Sequence, residues 1–252
     1  AGTNVLLRNG FSNLTVYSAG PILVSNLHAD GAHNANGVNL YNNIATDVAS
    51  GVTLTGTSQV NDNHWGGLAI SSYGPITISS LTASGNLDGA GAVLGNNGGE
   101  MPQPIKITGT NTFDDNAGAG LSVESDGAIS AANLTVRRNG GSYGAYLTTG
   151  EASITLPGTN VFSDNEGMGV DIHGAGAISL NNVSADRNGQ VAHTGSGAQI
   201  SNSSAAPGQP VKLTGTNSFS GNYISGLVVF SAGAIAINNL TANSNTNERG
   251  AI

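Results

Sequence analysis

The residues of this sequence best suited to acid–base chemistry are Glu124, Tyr146, Asp171 and His173. Asp171 and His173 stand two residues apart in the segment MGVDIH, so in a strand their side chains lie on the same face. Two carboxylates on one face can act as general acid and general base towards a glycosidic bond, and their separation decides the stereochemical course. The four residues are therefore a candidate carbohydrate site, if the fold brings their segments together.

A second group of acidic residues suggests a possible calcium site. These residues directly precede a recurrent asparagine or stand beside one that does: Asp62, Asp114, Asp115 and Asp164. Calcium binds carboxylate and carbonyl oxygens, but equivalent positions two coils apart would be about 9.6 Å apart, too far to share one ion. Solvent-facing turn residues are the preferred interpretation. The five histidines show no ligand pairing and the chain has no cysteine, so no cofactor is predicted, with calcium as a weak candidate.

An internal repeat must position these residues. A glycine before an I-x-I or similar strand recurs at intervals of 49 to 57 residues, at Gly20, Gly74, Gly127, Gly176 and Gly233. Each period of about 53 residues contains two similar half-units, and within them apolar and polar residues alternate over three to five positions. We expect each half-unit to form three short strands, with one buried face, that wind into a coil and pair with the coils above and below.

Two columns of residues should hold the coils together. A turn asparagine recurs in nearly every half-unit and can hydrogen-bond to its own copy in the next coil. Its clearest copies are Asn63, Asn86, Asn116, Asn139, Asn165, Asn188 and Asn222. Three residues before it, the half-units alternate a large side chain with a small one, and the large ones include Phe113, Phe162 and Phe219. Large and small side chains then interdigitate along the stack.

The motifs N-x-x-x-G-L-x-V and N-N-L-T-A-x-x-N resemble the coil repeats of right-handed parallel β-helix proteins of the pectate-lyase-like superfamily. The chain is more narrowly similar to the large Gly/Asn/Ser/Thr-rich repeat proteins of bacterial cell surfaces. The resemblance covers essentially the whole chain and implies an all-β fold, a right-handed parallel β-helix or β-solenoid. We expect about ten coils, three short strands per coil and a two-coil repeat. That fold hosts enzymes, adhesins and stalks alike, so it does not specify the function.

Composition restricts the partners. The net charge is −8, from 15 acidic and 7 basic residues with no basic stripe, so nucleic acid is not expected as a partner. No apolar run is long enough to span a membrane. Both termini fall inside repeat units without a polar cap, so residues 1–252 are expected to form one array that is a segment of a longer chain or filament, with copies or flanking repeats stacked end to end.

These features favour a non-enzymatic, extracellular structural or adhesive protein, a stiff segment of a bacterial surface protein or filament. Near-perfect repetition, few charges and uncapped ends are all typical of a protein segment whose role is to provide length and stiffness. The alternative is a carbohydrate-active β-helix, either a polysaccharide lyase or hydrolase or a module that binds surface glycans, with Glu124, Tyr146, Asp171 and His173 as its site. Threonine columns make ice binding a third hypothesis.

The main argument against the alternative concerns basic residues. A lyase of the superfamily that the chain resembles would be expected to show clustered aspartates with arginine or lysine nearby. In this sequence Arg137 and Arg138 fall in a different turn. The sequence alone therefore favours an ordinary solvated sheet face at the four candidate residues.

Overall fold

The computed structural model describes residues 2–44, 50–204 and 206–247. Over these residues the chain forms a parallel β-solenoid with no helix, in which three sheets, here called A, B and C, run side by side along the axis. The chain passes from A to B to C and returns to A one coil further on. Sheet A has ten strands and sheets B and C have nine each, which confirms the predicted coil of three short strands.

Sheet A contains the shortest strands, several of only two residues, because glycine- and asparagine-rich turns flank it on both sides. Its strands are β1 (Asn4–Val5), β4 (Leu27–His28), β7 (Ser58–Gln59), β10 (Leu81–Thr82), β13 (Asn111–Asp114), β16 (Leu134–Arg137), β19 (Asn160–Ser163), β22 (Val183–Ser184), β25 (Asn217–Ser218) and β28 (Leu240–Thr241).

Sheet B contains the longest strands and includes the segments of all four candidate site residues. Its strands are β2 (Leu14–Tyr17), β5 (Val38–Tyr41), β8 (Leu68–Ser71), β11 (Ala92–Gly95), β14 (Leu121–Ser125), β17 (Tyr143–Thr149), β20 (Met168–His173), β23 (Ala198–Asn202) and β26 (Leu227–Ser231).

Sheet C is formed by the I-x-I segments and the related apolar pairs. Its strands are β3 (Ile22–Ser25), β6 (Val52–Thr55), β9 (Ile76–Ser79), β12 (Ile105–Thr108), β15 (Ile129–Ala131), β18 (Ile154–Leu156), β21 (Ile178–Asn181), β24 (Val211–Thr214) and β27 (Ile235–Ile237).

One apolar core fills the space between the three sheets, because alternate residues of every strand turn inward. Phe113, Phe162 and Phe219 are its largest fully buried side chains. Val136 pairs with both Phe113 and Phe162 across sheet A, so a smaller side chain separates the two rings. The column therefore alternates large and small residues from coil to coil.

The turn from sheet A to sheet B contains a continuous ladder of buried asparagines. The Asn116 side chain donates to Asn139 Oδ1 at 3.0 Å, and the Asn139 side chain donates to Asn165 Oδ1 at 3.0 Å. Each Oδ1 also accepts the backbone N–H of the preceding rung. Polar groups at the inward bend are thereby satisfied without water.

The ladder continues past the one coil in which alanine replaces the turn asparagine. At Ala32, Asn13 from the neighbouring turn takes the vacant place. Its side chain donates to Asn63 Oδ1 at 3.2 Å and accepts from Asn9 Nδ2 at 2.9 Å. The Ala32 substitution is therefore compensated within the same ladder.

Replacing Asn139 with alanine should destabilise the solenoid by about 1–3 kcal/mol or more, because two Asn116 donors lose their acceptor in a buried site. The Phe113 carbonyl oxygen also loses its side-chain donor. Thermal or denaturant unfolding followed by circular dichroism measures the effect. Asn97→Ala, at an exposed position, is the matched control, and equal stability of the two variants would contradict the ladder's role.

Candidate functional site

Strand register brings the sequence-predicted residues onto the outer face of sheet B. Tyr146 pairs with Asp171 across β17 and β20, and Thr148 pairs with His173. Glu124 pairs with Thr148 across β14 and β17. The residues thus lie in three adjacent strands, and the even spacing along each strand turns all of them away from the core.

Asp171 and His173 form the tightest contact of this face. His173 Nε2 lies 2.7 Å from Asp171 Oδ1. The Asp171 side chain is only 5% exposed, whereas that of His173 is 36% exposed. Burial raises the pKa of Asp171, while the charge of His173 and hydrogen bonds from His173 and Gln199 act in the opposite direction. A buried carboxylate that holds a half-exposed imidazole is an arrangement suited to proton transfer.

Aromatic rings flank the pair on the side of the preceding coil. The ring centroids of Tyr146 and His173 are 6.2 Å apart, with an angle of 45° between the ring planes. Tyr143 packs on Tyr146 at 5.5 Å. These rings restrict the His173 imidazole on one side and offer an apolar surface beside it.

His173 also lines a cleft at the carboxyl ends of the neighbouring strands. The cleft has a volume of about 460 Å³, and its other polar side chains are Thr149, Glu151, Ser201 and Ser204. An adjoining cleft of about 440 Å³ shares Glu151 and is lined by Ser153 and Gln209. His173 and Glu151 therefore line the same cleft.

Sequence reasoning missed Glu151 and Gln199. Glu151 follows β17 in the turn to sheet C, outside the columns that the repeat aligns. Gln199 does lie in the outward column of Asp171, and its side chain approaches Asp171 Oδ1 at 3.5 Å. The position of Gln199 in that column could have indicated from the sequence that it lies beside Asp171. Glu151 lies outside the repeat, so no periodic pattern indicates its position.

Glu124 lies apart from the cleft. Its side chain is exposed, and β14 is two strands from β20, so Glu124 and His173 are separated by about 9.6 Å along the axis. Glu124 does not line the cleft that contains His173 and Glu151. Glu151 is the acidic residue that lines that cleft.

Asp62, Asp115 and Asp164 lie in the turn from sheet A to sheet B, but Asp114 is the last residue of β13 and is buried, so it is not the solvent-facing turn residue that we expected. Three of these four calcium candidates pair with arginine. Arg138 donates two hydrogen bonds of 2.7 Å to the Asp115 carboxylate, and its hydrogen bond lowers the pKa of Asp115. Arg187 binds Asp164 in the same way, and Arg137 binds Asp114 at 2.9 Å. Asp62 lies in a groove with His28 and Arg8.

Within the residues that the structure describes, no three histidine or acidic side chains are grouped to hold a metal ion. The expectation of no cofactor, with calcium as a weak candidate at these aspartates, stays a prediction.

Replacing Asp171 with asparagine should raise the melting temperature at neutral pH. Folding raises the pKa of Asp171 above its unfolded value of about 3.9. The parent therefore loses stability as the pH rises through the window between the unfolded and the folded pKa of Asp171. The asparagine variant has no such loss, so its advantage should appear above the window and vanish at lower pH. Melting curves across pH test this, with Glu124→Gln as an exposed control on the same face. An advantage that does not depend on pH would contradict the assignment.

The comparisons with known proteins bear on the fold. No protein-family model and no curated protein sequence matches this chain. Among solved structures it is similar to the A-module of the mannuronan C-5 epimerase AlgE4 of Azotobacter vinelandii. The alignment covers 96% of this chain and 75% of that one, with 14% identity and a TM-score of 0.49. This chain is a parallel β-helix. At this identity the likeness concerns the fold alone and assigns no residue.

The comparison corrects the functional prediction. We expected a non-enzymatic structural or adhesive protein, and that prediction is wrong: the similar β-helix is an enzyme module, named for its action on mannuronan. The finding fits the alternative, a carbohydrate-active β-helix, better. In the described part of the chain, no helix has the length and apolar character needed to cross a membrane.

Proposed function

We propose that this protein is a carbohydrate-active β-helix enzyme whose acid–base group is His173, held by Asp171. The observation that carries the proposal is the 2.7 Å contact between the half-exposed His173 imidazole and the buried Asp171 carboxylate, at the edge of a cleft. The outer face of sheet B is the surface on which the polysaccharide would lie.

The geometry assigns distinct roles to the two residues. Asp171 Oδ1 accepts a hydrogen bond from the Nε2–H of His173, which leaves Nδ1 unprotonated and able to take up a proton from the substrate or from water. The carboxylate then stabilises the imidazolium that forms. Removal of a proton from a sugar carbon leads to elimination when the departing glycosidic oxygen is protonated, or to epimerisation when a proton returns on the opposite face of the ring. Removal of a proton from water as it attacks the anomeric carbon leads to hydrolysis, in which the glycosidic oxygen leaves with a proton from a second group.

Two further groups complete the proposed site. Glu151 lines the same cleft as His173 and is the candidate for the second acid–base group. The Tyr146 ring packs beside His173 and provides an apolar surface for a sugar ring. The proposal includes an extracellular location, because polymers too long to enter a cell are met outside it.

The test is an incubation of the protein with soluble polysaccharides in D₂O. The panel contains neutral polymers, namely galactomannan, xylan and a soluble β-glucan, together with mannuronan. Deuterium incorporation by NMR reports proton abstraction at a ring carbon, and a reducing-end assay reports chain cleavage. We expect one of the two signals with at least one polymer. Binding without either signal would mean a glycan-binding module, and would contradict the enzyme proposal.

A further inference from the structure

A pair of stacked tyrosines lies on the same face of sheet B, far from the Asp171–His173 pair. Tyr17 in β2 and Tyr41 in β5 are register partners, with ring centroids 5.1 Å apart and planes 24° from parallel. The Tyr17 side chain is 67% exposed. The stack does not belong to the core, and neither residue takes part in the acid–base site.

The Tyr41 ring is held in place by a polar network beneath it. Its hydroxyl group donates to Asn39 Oδ1 at 3.3 Å, and Asn36 donates to the same oxygen at 2.9 Å. Asn39 is buried, and its amide donates to Ser12 Oγ at 2.8 Å. A ring that is already ordered in the free protein loses little entropy when a ligand stacks on it.

The positions that follow Tyr41 along the axis are small. Ser71 and then Gly95 occupy the same outward column, and Ala69 lies beside Ser71 in the neighbouring column. Neither Ser71 nor Gly95 is large enough to take the place of a third ring after Tyr41. Asn43 donates to Ser71 Oγ at 2.8 Å, so an amide and a hydroxyl group, rather than a third ring, follow Tyr41 on this face.

The charge of the outer face of sheet B indicates which class of sugar ring it can bind. The two outward columns of sheet B contain no lysine or arginine in the described strands, and their ionisable carboxylates are Glu124 and Asp171. The protein as a whole has a net charge of −8. An anionic polymer would therefore meet like charge without a cation to neutralise it. A neutral sugar ring has an apolar C–H face suited to tyrosine and hydroxyl groups suited to Ser71 and its neighbours.

We propose that Tyr17 and Tyr41 form a stacking subsite for a neutral polysaccharide that runs along the outer face of sheet B. Tyr41 is five strands from His173, about 24 Å along the axis, so one long chain can reach both places. Occupation of both places makes affinity rise with chain length. The inference that the polysaccharide continues to His173 rests on the proposed function, whereas its binding at the tyrosine pair does not.

The experiment measures binding apart from turnover. His173→Gln protein is titrated by calorimetry with galactomannan, xylan, soluble β-glucan and mannuronan, and with short oligosaccharides from the neutral polymer that binds. The double substitution Tyr17→Ala and Tyr41→Ala should weaken binding of that polymer about tenfold or more, because both stacking faces are lost. The corresponding double phenylalanine variant keeps the rings and should bind within about twofold of the parent.

Phe11→Ala is the matched control, since Phe11 is 76% exposed and precedes β2 in the turn outside sheet B. It should leave affinity unchanged. Unchanged affinity in the double alanine variant, no binding of any neutral polymer, or tighter binding of mannuronan would each overturn the subsite. If the tyrosine variants lose binding and the parent shows no turnover, the subsite stands and the enzyme proposal fails. If the parent shows turnover but the tyrosine substitutions have no effect on binding, the enzyme proposal stands and the subsite fails.

Discussion

Replacing His173 with glutamine should reduce turnover of the polysaccharide by a factor on the order of 10²–10⁴, because the site loses its proton acceptor. Glutamine keeps a side chain of similar polarity beside Asp171 but cannot take up a proton at neutral pH. The melting temperature should stay close to that of the parent, since the side chain is partly exposed. Initial rates of deuterium incorporation or reducing-end release give the comparison.

The chain contains a matched control for this substitution. His28 and Asp30 are also two residues apart, and His28 Nε2 lies 2.6 Å from Asp30 Oδ2, but His28 belongs to β4 in sheet A. His28→Gln should therefore leave the rate unchanged. Full activity of the His173 variant, or an equal loss in the His28 variant, would contradict the assignment of His173 as the acid–base group.

Replacing Phe162 with alanine should cost about 3–5 kcal/mol of unfolding free energy, because the ring is fully buried and its removal leaves a cavity. Phe162 pairs with the smaller Val136 in the preceding coil. The melting temperature should fall by about 6–20 °C for a chain of this size. Differential scanning calorimetry measures the shift.

Phe11→Ala serves again as the control, since it removes the same side chain from an exposed position. Its melting temperature should match that of the parent. A Phe162 variant that melts with the parent would show that the core column relaxes around the loss, and would contradict the tight large-to-small packing of the column.

The sequence predicted the coil well because the residues that hold it recur. Apolar alternation and the turn asparagines are repeated in register, and repetition exposes them even without a structure. The sequence did not indicate a role for Asn13 in the ladder because Asn13 lies outside the turn column, and only the structure shows it in the place that Ala32 leaves empty. A compensating residue of this kind has no periodic signal.

The functional prediction failed for a related reason. Candidate site residues differ from the repeat consensus and do not recur. In a sequence that is mostly repeat, the periodic pattern therefore identifies the structural residues and not the site residues. The spacing of Asp171 and His173 placed them on one face, but the burial of Asp171 depends on packing between coils that spacing does not describe. Glu151 enters the site from a turn, where the repeat is least regular.

The alternation of the core column has a consequence for how the molecule can change in length. Removing one coil between Phe113 and Phe162 would bring two phenylalanine rings into neighbouring strands, where a core has no room for both. Removing or duplicating two coils together restores the original sequence of large and small neighbours. Insertions and deletions in the array should therefore survive in pairs of coils, so that the number of coils between the stacked tyrosines and His173 keeps its parity when the array grows or shrinks.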